Sequence, residues 1–218
     1  MKLAVTGPVH DTGRLLDEPF VISSVKTDFL IVLGGCALTE PRADLEKTIE
    51  EFSSLPCGIL FIDAERDDHD LLAEYPAYPW NGGLAQMFSR NVYRLCRGQV
   101  FDLCGLKVLT MGGRSTPNRD DSERYWSWWP EQDPSVRDVH SAVRALDGRT
   151  VDLVLTSDVP SSWRDVSDAS EVTVSQEILE LLRNHIRYDR WLFADGSPDR
   201  ELPDHDASCI LNRVFRIA

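Results

Sequence analysis

The chain has 218 residues, a formal net charge of −13 and 42% hydrophobic residues, enough to bury a full core as one domain spanning 1–218. Its acids are spread throughout rather than gathered in a tail, so a phosphate backbone would be repelled and nucleic acid is disfavoured as a partner. No run of about 18 uncharged apolar residues is present, and MKLAVT meets Pro8 and His10 too soon for a signal peptide, so a cytoplasmic protein with no membrane partner is expected.

Taken in chain order, apolar runs alternate with helical patterns in the manner of an α/β protein. Leu3 to Thr6, Asp28 to Leu33 and Gly58 to Asp63 read as buried strands. Between the last two, Thr39 is the expected cap of a helix with Pro41 in its first turn and Leu45, Ile49 and Phe52 at helical spacing. Short strands follow at Val92 to Leu95, Val100 to Leu103 and Leu106 to Met111, separated by turn signals at Arg97-Gly98 and Cys104-Gly105, and this block reads as antiparallel. Asp133-Pro134 opens a helix carrying Val136, Val139, Val143 and Leu146, which Gly148 closes before the strand VDLVLT at 151 to 156. A helix near 175 to 187 leads to a strand RWLFA at 190 to 194, and CILNRVFRI at 209 to 217 is the expected last strand. The five cysteines form no C-x-x-C pair and read as reduced, mostly buried thiols rather than disulfides or a zinc site.

Loops at the carboxyl ends of strands gather into one cleft in α/β sheets, so chemistry is sought there. They read TGPVH at 6 to 10, LGGCAL at 33 to 38, IDAERDDHD at 62 to 70, LTSDVP at 155 to 160 and FADGSPD at 193 to 199. In this order the five segments resemble the calcineurin-like metallophosphoesterases, whose members carry Gly-Asp-x-His, Gly-Asp, Gly-Asn-His-Asp/Glu, Thr-His and Gly-His-x-His after successive strands. The resemblance extends through WNGG at 80 to 83, LCRGQVF at 95 to 101, MGG at 111 to 113 and SWWPEQDPS at 127 to 135, with Gln132 where a glutamate and Asn118 where an aspartate would stand. With the strand order, it implies an α/β sandwich of two mixed β-sheets flanked by helices, the strand-end loops converging.

Carried over residue by residue, the resemblance places Pro8 at the first aspartate and keeps His10 in its position. Gly35 replaces the aspartate that would bridge two metals, Glu65 takes a ligand position and Arg66 that of the catalytic histidine. Ser157 replaces the histidine of Thr-His, and Asp195 and Ser197 fall within the segment replacing Gly-His-x-His. Pro8 and Gly35 offer no side-chain ligand. Two dications about 3.5 to 4 Å apart need carboxylates between them, and without these their repulsion in a half-buried cleft is large. Arg66 is permanently charged and cannot donate a lone pair. It is the expected cationic replacement for the metals, held by Glu65 and by Asp195 or Asp158.

Plainer readings stand beside these. The charged run 65 to 70 also reads as a solvated loop, His10 as a loop cap, Gly112-Gly113-Arg114 as a turn instead of an anion cradle, and Trp126, Trp128 and Trp129 as cover for one end of the core. His140, His185 and His205 are assigned no chemistry. Two functions follow from the resemblance. One is a pseudoenzyme that binds no metal cofactor and acts on a protein partner or a small anionic ligand. The other is a phosphoesterase with a remodelled site, in which His10, Glu65 and Asp195 hold one Mn, Mg or Zn ion.

Overall fold

Leu3–Thr6 (β1), Phe29–Leu33 (β2) and Gly58–Ile62 (β3) are apolar runs lying side by side in parallel, buried at nearly every position because both faces are covered. This is seen in a computed structural model that describes residues 2–10, 13, 26–40, 44–116, 128–164 and 170–217; Pro41, Asn118 and Trp126 lie outside them. Three further strands follow: Ala77–Trp80 (β4), Gly83–Ser89 (β5) and Val92–Leu95 (β6). The chain then builds Gln99–Leu103 (β7), Leu106–Met111 (β8), Thr150–Thr156 (β9), Arg187–Phe193 (β10), Arg200–Leu202 (β11) and Ala207–Cys209 (β12), and ends on Val214–Ile217 (β13). Two mixed sheets result, a seven-stranded one ordered β13-β1-β2-β3-β6-β5-β4 and a six-stranded one ordered β11-β12-β10-β9-β8-β7.

Helices cover the outer faces. Leu45–Ser53 (α1) lays Leu45, Ile49 and Phe52 against Leu30 and Phe61 of the first sheet. His69–Glu74 (α2) follows the loop after β3. Val136–Leu146 (α3) and Val174–His185 (α4) pack Val139, Leu179 and Leu182 onto Val154 and Phe193 of the second. A third apolar layer, with Leu33, Leu60, Phe101, Val108 and Leu155, fills the space between the sheets. Each such side chain contributes about 1.5 to 3 kcal/mol on leaving water. The α/β sandwich of two mixed sheets is therefore present. Among the described residues, no helix is long and apolar enough to cross a membrane.

Several elements differ from expectation for local reasons. Asp44, not Thr39, caps α1, its side chain accepting from the Lys47 N–H at 3.1 Å; Thr39 instead donates its hydroxyl to Asp67. The 92 to 111 block is split between sheets: β6 runs parallel to β3 and antiparallel to β5, while only β7 and β8 form a hairpin. The expected strand at 209 to 217 is two strands in different sheets. Between them Asp199 accepts from the N–H groups of Leu211 and Asn212, holding a bend, and Gly7 admits the Leu211 backbone at a distance no Cβ would allow. Pairing with β9 starts β10 at Arg187, which ends α4 earlier than expected. The hairpin of β4 and β5 turns on Asn81 and Gly82, both with positive φ, the Asn-Gly turn whose twist suits a hairpin.

Candidate functional site

The strand-end loops meet through backbone and glycine contacts. Val9 N–H donates to Gly35 O at 2.8 Å and Ala37 N–H to Val9 O at 2.6 Å, tying the loop after β1 to that after β2. Gly35 has φ +45°, and a Cβ there would lie 2.5 Å from His10 Cε1. The imidazole therefore fills the space a side chain at 35 would need. At Gly34 a Cβ would meet Ala64 at 3.1 Å and Ser157 at 3.3 Å, and Ser157 donates its hydroxyl to Asp63 O at 2.6 Å. Arg114, just past β8, reaches Glu65 at 3.3 Å, and a Cβ at Gly196 would come 3.2 Å from Arg114 Nη1. The ends of β1, β2, β3, β8, β9 and β10 thus share one end of the sandwich, bringing His10, Gly35, Glu65, Ser157 and Asp195 to it.

Each retained donor already has a partner. His10 Nδ1 lies 2.5 Å from Glu40 Oε1, and this hydrogen bond raises the imidazole above its ordinary pKa although burial and Arg66 oppose it. Asp195 accepts from Arg200 at 2.6 Å, from the Ser197 N–H at 3.0 Å and from the Cys209 thiol at 3.2 Å. Burial pushes its carboxyl up, but these donors outweigh it and hold the pKa below the usual range. Ser157 is buried and Pro8 half-buried.

Arg66 does not take the expected role. It is exposed and, among the described residues, no carboxylate lies within hydrogen-bond reach of it. The counterions are other arginines: Arg114 for Glu65, Arg200 for Asp195, and Arg94 with Arg97 for Asp63. Position explains this, since residue 66 lies at the tip of the loop after β3, whereas residues 94, 97 and 114 leave strands beside the site.

In the sequence Asp63 is only the end of an apolar run, yet its fully buried carboxylate is the electrostatic centre of this end. Arg94 donates to Oδ1 through Nε at 3.0 Å and Nη2 at 2.7 Å, and Arg97 donates to Oδ2 through Nε at 2.9 Å and through Nη2. Burial raises the carboxyl, but the two guanidiniums outweigh it and hold the acid ionised. Arg97 also donates to the carbonyls of Glu131, Gln132 and Asp133. The available signal is the spacing VYRLCRG, which sends one arginine from β6 and a second from the following turn toward the end of β3.

Two further buried acids lie nearby. Asp67 accepts from the Thr39 hydroxyl at 2.5 Å and the Ala64 N–H at 2.6 Å; burial, with Asp63 adding, pushes it up to about 7 against these donors. Asp158 accepts from Ser175 at 2.5 Å and the Val159 N–H at 2.8 Å, and burial raises it against the opposing charge of Arg114. Gly113 gives its N–H to Asp63 O at 2.7 Å, so the Gly-Gly segment packs on β3 and does not stand open as an anion cradle. Trp129 is buried with its indole N–H toward Asp70 at 3.3 Å, covering one end of the core.

Positions 8 and 35 bring no side-chain ligand atom, His10 occupies the space over Gly35, and Glu65 and Asp195 are held by guanidiniums. No family model matches the chain, and no curated protein matches it.

Proposed function

We propose that this chain is a metallophosphoesterase-like pseudoenzyme, without dinuclear metal binding or phosphoester hydrolysis, acting by binding a partner or ligand at its strand-end cleft. The observation that carries the reading is the pairing of its oxygen donors with arginines: Glu65 with Arg114 and Asp195 with Arg200. To recruit either carboxylate a cation would have to displace a guanidinium, leaving that positive charge a few ångströms away to repel it. A hydrolase of this type also needs an acid to protonate the leaving group, and Arg66 at that position cannot give up its proton.

The test is hydrolysis of an aryl phosphodiester by the purified chain with Mn²⁺, Mg²⁺ or Zn²⁺, alongside metal content after purification with and without added manganese. The expected result is a rate equal to background and no stoichiometric metal. Metal-dependent turnover that disappears in Glu65→Gln or Asp195→Asn would instead establish a remodelled phosphoesterase holding one ion through His10, Glu65 and Asp195.

A further inference from the structure

α3 ends at Leu146 and α4 at His185, just before β9 and β10 begin at Thr150 and Arg187, so the carboxyl-terminal halves of both helices lie at the opposite end of the second sheet from the strand-end cleft. Between these halves is a half-open cavity of about 300 Å³, lined by Val139, His140, Val143, Arg144, Leu181 and His185. Val139 and Val143 are one helical turn apart on α3, as are His140 and Arg144, and Leu181 and His185 are one turn apart on α4. The valines and Leu181 are buried or half-buried and make an apolar floor, while His140, Arg144 and His185 are exposed and make the rim. A base at the carboxyl end of a helix ordinarily serves the last carbonyls. Here other residues do that: Arg149 donates to Leu146 O and Ala145 O, Arg187 to Gly148 O, and His185 Nδ1–H to Leu181 O. Arg183 is paired with Glu180. Arg144 makes no hydrogen bond and no ion pair among the described residues. The acids of the two helices do not line the cavity: Asp138 is tied to the Ser135 cap, Glu180 to Arg183 and Ser162, and Glu177 and Asp147 are exposed outside it.

We infer that this cavity binds a small apolar carboxylate, its hydrocarbon body on Val139, Val143 and Leu181 and its carboxylate on Arg144. An apolar floor with a few polar groups at its edge is the composition of small-ligand sites. Charge decides the class of ligand: the lining holds a permanently ionised guanidinium and two imidazoles and no acid, in a chain of net charge −13. The planar fork of Arg144 matches a carboxylate through two parallel donors. His140, one turn before it, adds a ring N–H for a ligand oxygen. Volume sets the size, since a cavity of about 150 Å³ holds benzene, so this one has room for about two fused rings. The site is separate from the strand-end cleft and does not depend on the pseudoenzyme reading.

Titration of the full chain with 2-naphthoate, followed by NMR of the backbone amides and histidine rings, tests this. The expected result is one site per chain, with the rings of His140 and His185 and the amides around 139 to 144 and 181 to 185 shifting together while those of the strand-end cleft stay in place. Arg144→Gln should weaken binding about tenfold or more, the loss of one charge-assisted contact. His140→Glu should weaken it as well, because it sets a carboxylate four residues before Arg144, where the two pair along the helix. Both residues are exposed, so the variants fold normally, checked by circular dichroism. 2-Naphthalenemethanol, which lacks the charge, and acetate, which lacks the apolar body, should each bind about tenfold more weakly or less. The inference is overturned by no shift at about 5 mM 2-naphthoate, an affinity too weak to matter, by equal binding of the alcohol or of acetate, or by equal binding to wild type and Arg144→Gln. Shifts produced by an acidic amphipathic peptide and not by 2-naphthoate would overturn it too, assigning the groove to a partner helix.

Discussion

Asp63 and Arg97 join the two sheets: the acid ends the run of β3 in the first sheet, and the base stands in the turn that carries the chain from β6 to β7 in the second. Arg94 completes the pair from the other side, and both guanidiniums are largely buried. Removing the acid strands two buried cations, which is far costlier than losing a surface pair. Asp63→Ala is expected to destabilise the fold by about 3 to 5 kcal/mol, read by urea unfolding. A loss under about 1 kcal/mol, the size of a surface pair, would show that the triad is not a structural centre.

Arg66 and Arg200 separate an exposed cation with no carboxylate partner among the described residues from one committed to the fold. Arg66→Ala should leave unfolding free energy within about 0.5 kcal/mol of wild type, as for a surface change without a partner. Arg200→Ala should cost about 1 to 3 kcal/mol, because Asp195 is nearly buried and loses a charge-assisted donor. Thermal and urea unfolding of the two variants side by side decide this; the reverse order would return the counterion role to Arg66.

The apolar runs at β1, β2, β3 and β9 were legible because buried parallel strands write themselves as unbroken hydrophobic sequence. So was the convergence of His10, Gly35, Glu65, Ser157 and Asp195, which follows from where strands end. The edge elements were not: β11 and β12 are three residues each, and whether 209 to 217 stays in one sheet depends on Asp199 capping a bend from a distant loop. Charge pairing was least legible. Which arginine meets Asp63, Glu65 or Asp195 is fixed by strand order across two sheets, and sequence proximity pointed wrongly to Arg66.

Gly35 and His10 offer a test of whether the site is one substitution from metal binding. Gly35→Asp places a Cβ where the His10 ring now lies and puts a non-glycine residue at φ +45°, a strain of about 1 to 2 kcal/mol. The expected outcome is displacement of His10 from Glu40, seen as a change in its NMR chemical shifts, with its pKa staying above the ordinary histidine value because the new carboxylate takes over the raising effect of Glu40, and still no phosphodiesterase activity with Mn²⁺. Activity gained by this single change would mean the remaining donors are free to hold a metal.

Asp67 gives the fold a pH dependence whose sign is fixed. Its carboxyl moves from an ordinary 3.8 to about 7 in the folded protein, chiefly through burial. Between these values the native state holds a proton that the unfolded chain has released. The stabilisation from this proton is complete below about pH 4 and is lost as pH rises through about 7, with a slope of at most about 1.4 kcal/mol per pH unit. Glu201, held down to about 2 by its own donors, opposes this only near and below its ordinary 4.5, where the unfolded chain still holds the proton, and adds little slope above about pH 6. Nearby, His10 is raised and contributes in the same direction over a higher range, while His69, lowered to about 4 by burial, opposes below its ordinary value. Comparison with Asp67→Asn isolates the group, since asparagine keeps one acceptor, for the Ala64 N–H, and turns its amide NH2 toward the Thr39 hydroxyl, which can accept it while donating to Cys36 O, but does not titrate. Wild type should therefore lose more stability than Asp67→Asn between about pH 5 and pH 8, measured by urea unfolding at each pH. Parallel profiles would show that Asp67 is ionised throughout, its hydrogen-bond donors having overcome burial.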